Sequence, residues 1–413
     1  MLLKTLTLTN VRAFKQAEFI FQPGMNLIVG INGVGKSTVL EVIRIVLAKI
    51  LPKFSLASIE RSIKFKADDI KIGENQLTAL LKFQLVDTPV QCEFNYSGRT
   101  QFELSPNNPA IWNIFKQQVT PLAIYFSPQR AIASMAKSRN IKYGVSTAFI
   151  DALKPRELRF TEFADWLMVQ ENLALENSPY AKKYIEILNS VIPHFLDSLG
   201  HPRAFDIVKI HKVRGKPYHR NAGVTISLSI EKSGIGLTVS QLSDGERSIL
   251  ALVLDLTRRL AQANPDLEDP LQAQAVVLID ELDLHLHPQW QRTIVEKLTT
   301  TFPNCQFIAT THSPLIIGEV PPENIIIINE NGQSLCPDKS FGMDTDWVLK
   351  YLMGATTRNR DTEDTLKQIA KLIEIKEYNE ATDEIDSLRS KVGEFPEIVK
   401  LQAQIDRFQM LGI

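Results

Sequence analysis

GINGVGKST, Gly30–Thr38, is the stretch on which the reading of the fold turns. It fits the spacing Gly-x4-Gly-Lys-Ser and follows the apolar run Leu27–Val29. It leads into Lys36–Leu47, where Val39, Leu40, Ile43, Val46 and Leu47 recur on one helical face. Strand, glycine loop and helix, in that order, are what a phosphate-binding loop needs. Glycines let successive backbone N–H groups wrap an anion, and the helix start adds favourable partial charge. Gly30, Asn32, Gly33 and Gly35 would shape the loop. Lys36 is expected to reach the β- and γ-phosphates of ATP, and Ser37, beside Thr38, to ligate Mg²⁺.

Working outward, Val276–Glu281 (VVLIDE) reads as a buried strand ending in two carboxylates, where ligands sit in open α/β sheets. Asp280 is expected to hold Mg²⁺ through Ser37 or water, and Glu281 to polarise an attacking water as general base. His312, in the ATTHSP segment Ala309–Pro314, follows the apolar run Gln306–Ala309 and is placed to sense a γ-phosphate. Gln129 follows the strand Leu122–Phe126 and could touch Mg²⁺ or the water; an exposed loop glutamine is the plainer reading. Arg12 and Phe14 could border the nucleotide or simply end a strand at the surface.

Leu242–Glu246 (LSDGE) opens a helix expected over Gly245–Leu260. Ser243 suits its N-cap. Ser243, Gly245 and Glu246, with free helix N–H groups, also make an anion site that can face the γ-phosphate held by a second copy. His285 and His287, with Asp283, invite a zinc reading, but no further ligand cluster supports it.

Composition bounds the rest. At 413 residues with a net charge of −1, the chain can bury a large core and carries no global basic field. Cys92, Cys305 and Cys336 lie far apart without metal-ligand spacing, as in a reduced cytoplasmic protein. The start alternates like a strand and lacks a signal-peptide core, and no apolar run approaches a membrane span. The expected organisation is an N-terminal half of a nucleotide-binding lobe (1–144), a helical insertion (145–200), a second half (201–335) and a C-terminal helical extension (336–413). Lys64–Phe83 and Gln91–Phe102 read as strands of an antiparallel layer, and Glu157–Glu171 and Tyr180–Leu199 as the insertion's helices. Residues 201–220 hold six Lys/Arg and three His against one Asp, the most basic stretch of the chain. Thr362–Ile375, Asn379–Lys391 and Pro396–Phe408 read as amphipathic helices; from Asp361 to Ile413, twelve acidic and seven basic residues give a net −5.

Taken in order, these motifs resemble those of ABC/SMC-type ATPases of DNA repair and bacterial anti-phage defence. The resemblance implies an α/β fold: a P-loop ABC-type ATPase head, with a mostly parallel core sheet plus an antiparallel β layer. In its terms Gly30–Thr38 is the Walker A loop, Gln129 the Q-loop, Leu242–Glu246 the signature, Asp280 and Glu281 Walker B, and His312 the switch histidine. The ELDLHLHP segment after Walker B resembles the overcoming-lysogenization-defect and RecF-like branch. FGMDTDWVLKYLMGATTR with its acidic tail is similar to the PtuA-type ATPases of Septu systems and some retrons, which are paired with an HNH nuclease. There are departures. Asp244 stands where transporters carry glycine, and His287 where many relatives carry the D-loop aspartate. No nuclease constellation follows His312.

The expected function is an ATPase that forms nucleotide-sandwich dimers, at least, and regulates a separate HNH-type nuclease in defence, with the acidic tail as docking surface. One alternative is a RecF/SMC-like repair ATPase that clamps duplex DNA through residues 201–220. Another is a nucleotide-stabilised scaffold with little turnover. A membrane role would need spans on another chain.

Overall fold

The computed structural model describes all residues except 56, 58–60, 107–111, 113–120, 132–144, 158–159, 198–204, 214–224, 233–234, 239–240, 357 and 412–413. The chain divides into two compact units, Met1–Val348 and Leu349–Ile413.

In the first unit the core sheet runs β14-β13-β3-β12-β11-β7. Its strands are β3 (Met25–Val29), β7 (Leu122–Phe126), β11 (Ala275–Ile279), β12 (Cys305–Thr310), β13 (Ile325–Ile328) and β14 (Ser334–Leu335). The five from β13 to β7 are parallel, and β14 closes the edge antiparallel. β3, β11 and β12 are buried at every residue, which is why they read as unbroken apolar runs rather than alternating ones. An antiparallel layer, ordered β2-β1-β4-β5-β6, lies beside it. It comprises β1 (Leu2–Val11), β2 (Phe14–Ile20), β4 (Leu77–Leu85), β5 (Thr88–Tyr96) and β6 (Thr100–Ser105).

Two expectations need correction here. The strand expected from Lys64 begins only at Leu77, because Ala67–Asp69 forms a 3-10 turn. The strand expected over Gln91–Phe102 is two strands, reversed at Gly98, whose φ of 89° suits the turn.

Helix α1 (Lys36–Phe54) shares one hydrophobic core with residues of both sheets. Val42, Ile45 and Ile50 are therefore buried along with the single face read from the sequence. A helix between two sheets has no solvent side, so its apolar residues spread around the axis. Helices α2 (Phe160–Leu175) and α3 (Pro179–Asp197) occupy the segment expected to be an insertion and pack through Phe163, Trp166 and Tyr184. A three-stranded antiparallel sheet, β10-β9-β8, is built from β8 (Phe205–Val213), β9 (Thr225–Lys232) and β10 (Ile235–Thr238). The basic stretch 201–220 thus contains β8, while 201–204 and 214–220 lie outside the described residues.

Helix α4 (Asp244–Ala263) is tied to the insertion by a buried ion cluster. Asp255 accepts from Arg259 Nε at 2.8 Å, from Arg258 Nη2 at 2.5 Å and from Arg156 Nη2 at 3.1 Å. Arg156 also donates to Glu162 Oε2 of α2 at 2.9 Å, and Arg259 Nη1 to the Ile150 carbonyl at 3.0 Å. Burial alone would raise the Asp255 carboxyl; Arg259, Arg156 and Arg258 outweigh it and hold the group well below the carboxylate range. Removing the anion strands buried cations. Asp255→Asn is expected to cost about 3–5 kcal/mol. Thermal unfolding should then fall by on the order of 10 °C. An unchanged melting profile would show that the arginines find other partners.

The remaining helices of the first unit that bear on the site are α5 (Pro288–Thr301) and the short α6 (Pro314–Ile317). The second unit holds α7 (Arg360–Glu374), α8 (Tyr378–Val392) and α9 (Pro396–Leu411) around Ile369, Ile373, Ile385, Leu388, Ile398 and Ile405. Pro396 opens α9, where a missing N–H costs nothing. Arg358 bridges to Glu397 at 2.6 Å and lies 4.4 Å from the Phe395 ring centroid. Among the described residues no helix is long and apolar enough to cross a membrane.

Candidate nucleotide site

Four of the motifs emerge from neighbouring strands at the same edge of the core sheet. β3 ends in the glycine loop, β12 in Thr310–Pro314, β11 in Asp280-Glu281, and β7 in Ser127–Ala131. Parallel strands deliver their C-terminal ends together, which is where open α/β sheets place ligands.

Within the loop, Gly35 takes φ 107° and packs directly on Phe14. A Cβ there would sit 2.6 Å from the ring, so any side chain at Gly35 would push the loop off its support. Phe14 is fully buried in the core and carries the loop from beneath, so it is not the strand-end surface residue that the sequence also allowed. Lys36 is largely buried, and its Nζ donates to the carbonyls of Gly30 and Ile31, each at 2.8 Å. Burial pulls its pKa below the ordinary lysine value, opposed by Asp280, Asp283 and Glu281. Asn32 and Gly33 are exposed at the loop tip.

Ser37 and Asp280 meet although 243 positions apart: Ser37 Oγ donates to Asp280 Oδ1 at 3.1 Å. The same carboxylate oxygen accepts from Thr310 Oγ1 at 2.6 Å. Thr310 Oγ1 in turn accepts from the Glu281 backbone N–H at 2.8 Å. Glu281 is half-buried and holds a left-handed backbone, φ 54°, which a non-glycine residue adopts only when its surroundings impose it. Asp283 Oδ1 accepts from Thr311 Oγ1 at 2.6 Å and from the His312 N–H at 3.1 Å, which holds the histidine segment against the Walker B turn. The His312 imidazole lies below its usual pKa, first through burial and next through the charge of Lys36. Both effects favour the neutral imidazole, which can accept as well as donate.

Arg12 sits at the loop's flank with φ 45° and donates to Thr38 Oγ1 at 3.4 Å. Asp69 Oδ1 fixes its guanidinium through Nε at 2.9 Å and Nη2 at 2.7 Å. Gln129 is exposed on the 3-10 turn Pro128–Ala131. Its neighbour Arg130 is buried and turns inward to the Walker B backbone.

Leu242–Glu246, expected to be the signature, opens α4 as a capping box. Ser243 Oγ accepts from the Glu246 N–H at 3.3 Å, and Glu246 Oε2 accepts from Ser243 N at 2.9 Å and Ser243 Oγ at 2.8 Å. Ser243 and Asp244 are exposed, whereas Glu246 is buried and its carboxylate is committed to the cap. Gly245 seats the helix start on the loop after β11. A Cβ there would lie 2.5 Å from the His285 carbonyl oxygen. His287 caps α5, its Nδ1 accepting from Gln289 N at 3.3 Å.

Asp69, Thr310, Asp283 and Arg130 are the contributors that sequence reasoning missed. Asp283 and Arg130 each stand within two positions of a motif residue. Thr310 likewise stands two positions before His312, whereas Asp69 carries no spacing signal of its own.

Comparison with known proteins shows the family. Residues 25–318 match the family described as "AAA domain, putative AbiEii toxin, Type IV TA system". The chain is 29% identical over 381 residues to the "Retron Vc95 probable ATPase" of Vibrio cholerae serotype O1 biovar El Tor, covering 79% of this chain and 73% of that protein. It is 26% identical over 414 residues to the "Retron Ec83 probable ATPase" of Escherichia coli, covering 85% and 76%. It is 25% identical over 347 residues to the "Septu protein PtuA" of Bacillus thuringiensis, covering 79% and 76%. In fold, an SMC head solved with the C-winged helix domain of ScpA superposes with a TM-score of 0.51 at 15% identity, covering 82% of this chain and 98% of that one. The matched span is more than half of the chain and takes in Gly30–Thr38, Leu242–Glu246, Asp280, Glu281 and His312, so the chain belongs to this family of AAA-domain ATPases.

Proposed function

We propose that two copies of this chain bury ATP at a shared seam and that the nucleotide state of the pair controls a separate nuclease in anti-phage defence. The observation that carries the reading is the convergence of Lys36, Ser37, Asp280, Glu281 and His312 at one sheet edge, with exposed Ser243 and Asp244 at the start of a long helix. Lys36 leaves the Gly30 and Ile31 carbonyls for the phosphates. Arg12, held by Asp69, flanks the nucleotide beside Thr38. Ser37 and Asp280 offer a hydroxyl and a carboxylate oxygen 3.1 Å apart, a hard-oxygen pair that fits Mg²⁺. When bound, the ion supplies charge neutralisation to the phosphates. Glu281 orients the attacking water, Gln129 reaches in from its exposed turn, and neutral His312 contacts the γ-phosphate.

The signature of one protomer completes the site of the other. Ser243 and the first N–H groups of α4 form its half, since a helix start binds anions. Glu246 acts indirectly, by holding that start in shape. The defence role rests on the kinship with retron and Septu proteins, and the acidic second unit is the surface assigned to the nuclease, of HNH type. The reading places the protein in the cytoplasm.

Affinity purification of the native chain from its host is expected to recover a nuclease. Recovery of none would sink the regulatory role. Ser243→Arg should bind ATP yet stay monomeric by light scattering, because a long cation would fill the seam. An ATP-dependent dimer of that variant would move the interface elsewhere.

A further inference from the structure

The best-anchored residue near Walker B is not one of its motifs. Arg130 follows Gln129 on the turn after β7, and its side chain is 2% exposed. Nη1 donates to the Ser127 carbonyl at 3.2 Å and to the Asp280 carbonyl; Nη2 donates to the Glu281 carbonyl. A buried guanidinium beside Asp280, Glu281 and Asp283 would ordinarily pair with a carboxylate. Here the fork goes to main-chain oxygens, and Glu281 keeps its carboxylate without a hydrogen bond among the described residues. Burial lowers the Arg130 pKa to about 10, against the opposing pull of Asp280, Glu281 and Asp283, so it remains charged at neutral pH.

The placement matters because Glu281 sits in the left-handed region. That conformation aims its side chain, and it needs external support. Support comes from two sides. Thr310 Oγ1 of β12 accepts from the Glu281 N–H, and the Glu281 carbonyl accepts from Arg130 Nη2 and, at 3.0 Å, from the Leu284 N–H of its own turn. The Asp280 N–H also donates to the Phe126 carbonyl at 2.9 Å, so the turn after β7 and the Walker B turn are joined at consecutive residues.

We propose that Arg130 is a positioning residue for hydrolysis: its fork across the Asp280 and Glu281 carbonyls sets the aim of the Glu281 carboxylate and links it to the segment that carries Gln129. This rests on the role given to Glu281 above. Arg130 touches no substrate in this arrangement. Its effect is on turnover and not on nucleotide affinity. Arginine suits the position because its planar fork spans two acceptors, whereas a lysine ammonium is a single point donor.

Steady-state hydrolysis and calorimetric ATP titration on Arg130→Met, Arg130→Lys, Glu281→Gln and the double variant Arg130→Met/Glu281→Gln test it. Arg130→Met should lose about tenfold or more in kcat while ATP affinity stays within about twofold. Arg130→Lys keeps the buried charge, guards against a folding failure of the Met variant, and should show the same selective loss. In the double variant the Arg130 change should add less than about twofold to the Glu281→Gln defect, because both act through one group. Three results would overturn the proposal: full turnover in either Arg130 variant, a loss confined to ATP affinity, or losses that multiply in the double variant. A fully active Glu281→Gln would remove the assignment of Glu281 and this inference together; full turnover of Arg130→Met beside an inactive Glu281→Gln removes this inference alone.

Discussion

Lys36→Ala is expected to lower ATP affinity by on the order of 10²–10³-fold, the loss of an interaction of about 3–4 kcal/mol. The size follows from where the ammonium sits. It is already largely desolvated, so the cost of burying it is met by the fold before any nucleotide arrives. Its two hydrogen bonds go to neutral carbonyls of the loop, which are weaker acceptors than phosphate oxygens. Charge–charge attraction near a protein surface amounts to about 4 kcal/mol at 4 Å, and one ammonium facing a multiply charged triphosphate is on the favourable side of that scale. Alanine removes the charge and leaves the Gly30 and Ile31 carbonyls without this donor. The glycine loop would remain, because Gly35 is seated on Phe14 and not on Lys36. A calorimetric titration checks this directly, and retained affinity would mean that the loop does not cradle the phosphates.

How much of this was legible in the sequence depends on whether the cause was local. The glycine loop, the apolar strands β3, β11 and β12, and the N-cap at Ser243 are local patterns with local causes, and each stands where its spacing put it. The insertion and tail helices followed their periodicity to within a few residues. What could not be read was fixed by tertiary contact. Val42 and Ile45 became core because α1 lies between two sheets, a fact that one helix's pattern does not contain. Phe14 could be read as a nucleotide neighbour or as a surface strand end, and burial makes it the floor of the loop. Asp69 reaches Arg12 across 57 positions with no motif to announce it, and Thr310, though inside the ATTHSP segment, reaches Asp280 across 30 by a contact that the segment's spacing does not state. Arg130 was overshadowed by the adjacent Gln129, since exposure and burial alternate on a tight turn and sequence alone does not say which side faces in. The fold class was therefore clear from motif order, while the residues that hold the motifs in place had to be seen.

Glu281→Gln is expected to reduce hydrolysis by about 10²–10⁴-fold, the range in which a positioned general base contributes, while ATP still binds. The substitution is close to isosteric and leaves the backbone untouched. The residue-281 N–H donates to Thr310 Oγ1 and its carbonyl accepts from Arg130 and the Leu284 N–H; none of these bonds involves the side chain, so the left-handed turn should persist. Asp280 keeps its partners Ser37 and Thr310, and the hydroxyl–carboxylate pair assigned to Mg²⁺ stays intact. What disappears is the negative charge that draws a proton from water. With binding retained and hydrolysis slowed, any state that needs ATP should accumulate, and on the present reading that state is the dimer. Single-turnover kinetics and light scattering in ATP measure the two effects on one sample. Slow turnover without dimer would keep Glu281 as the base and separate catalysis from assembly. Wild-type turnover would mean that another group, with Gln129 and His312 the nearest alternatives in the motif set, orients the water.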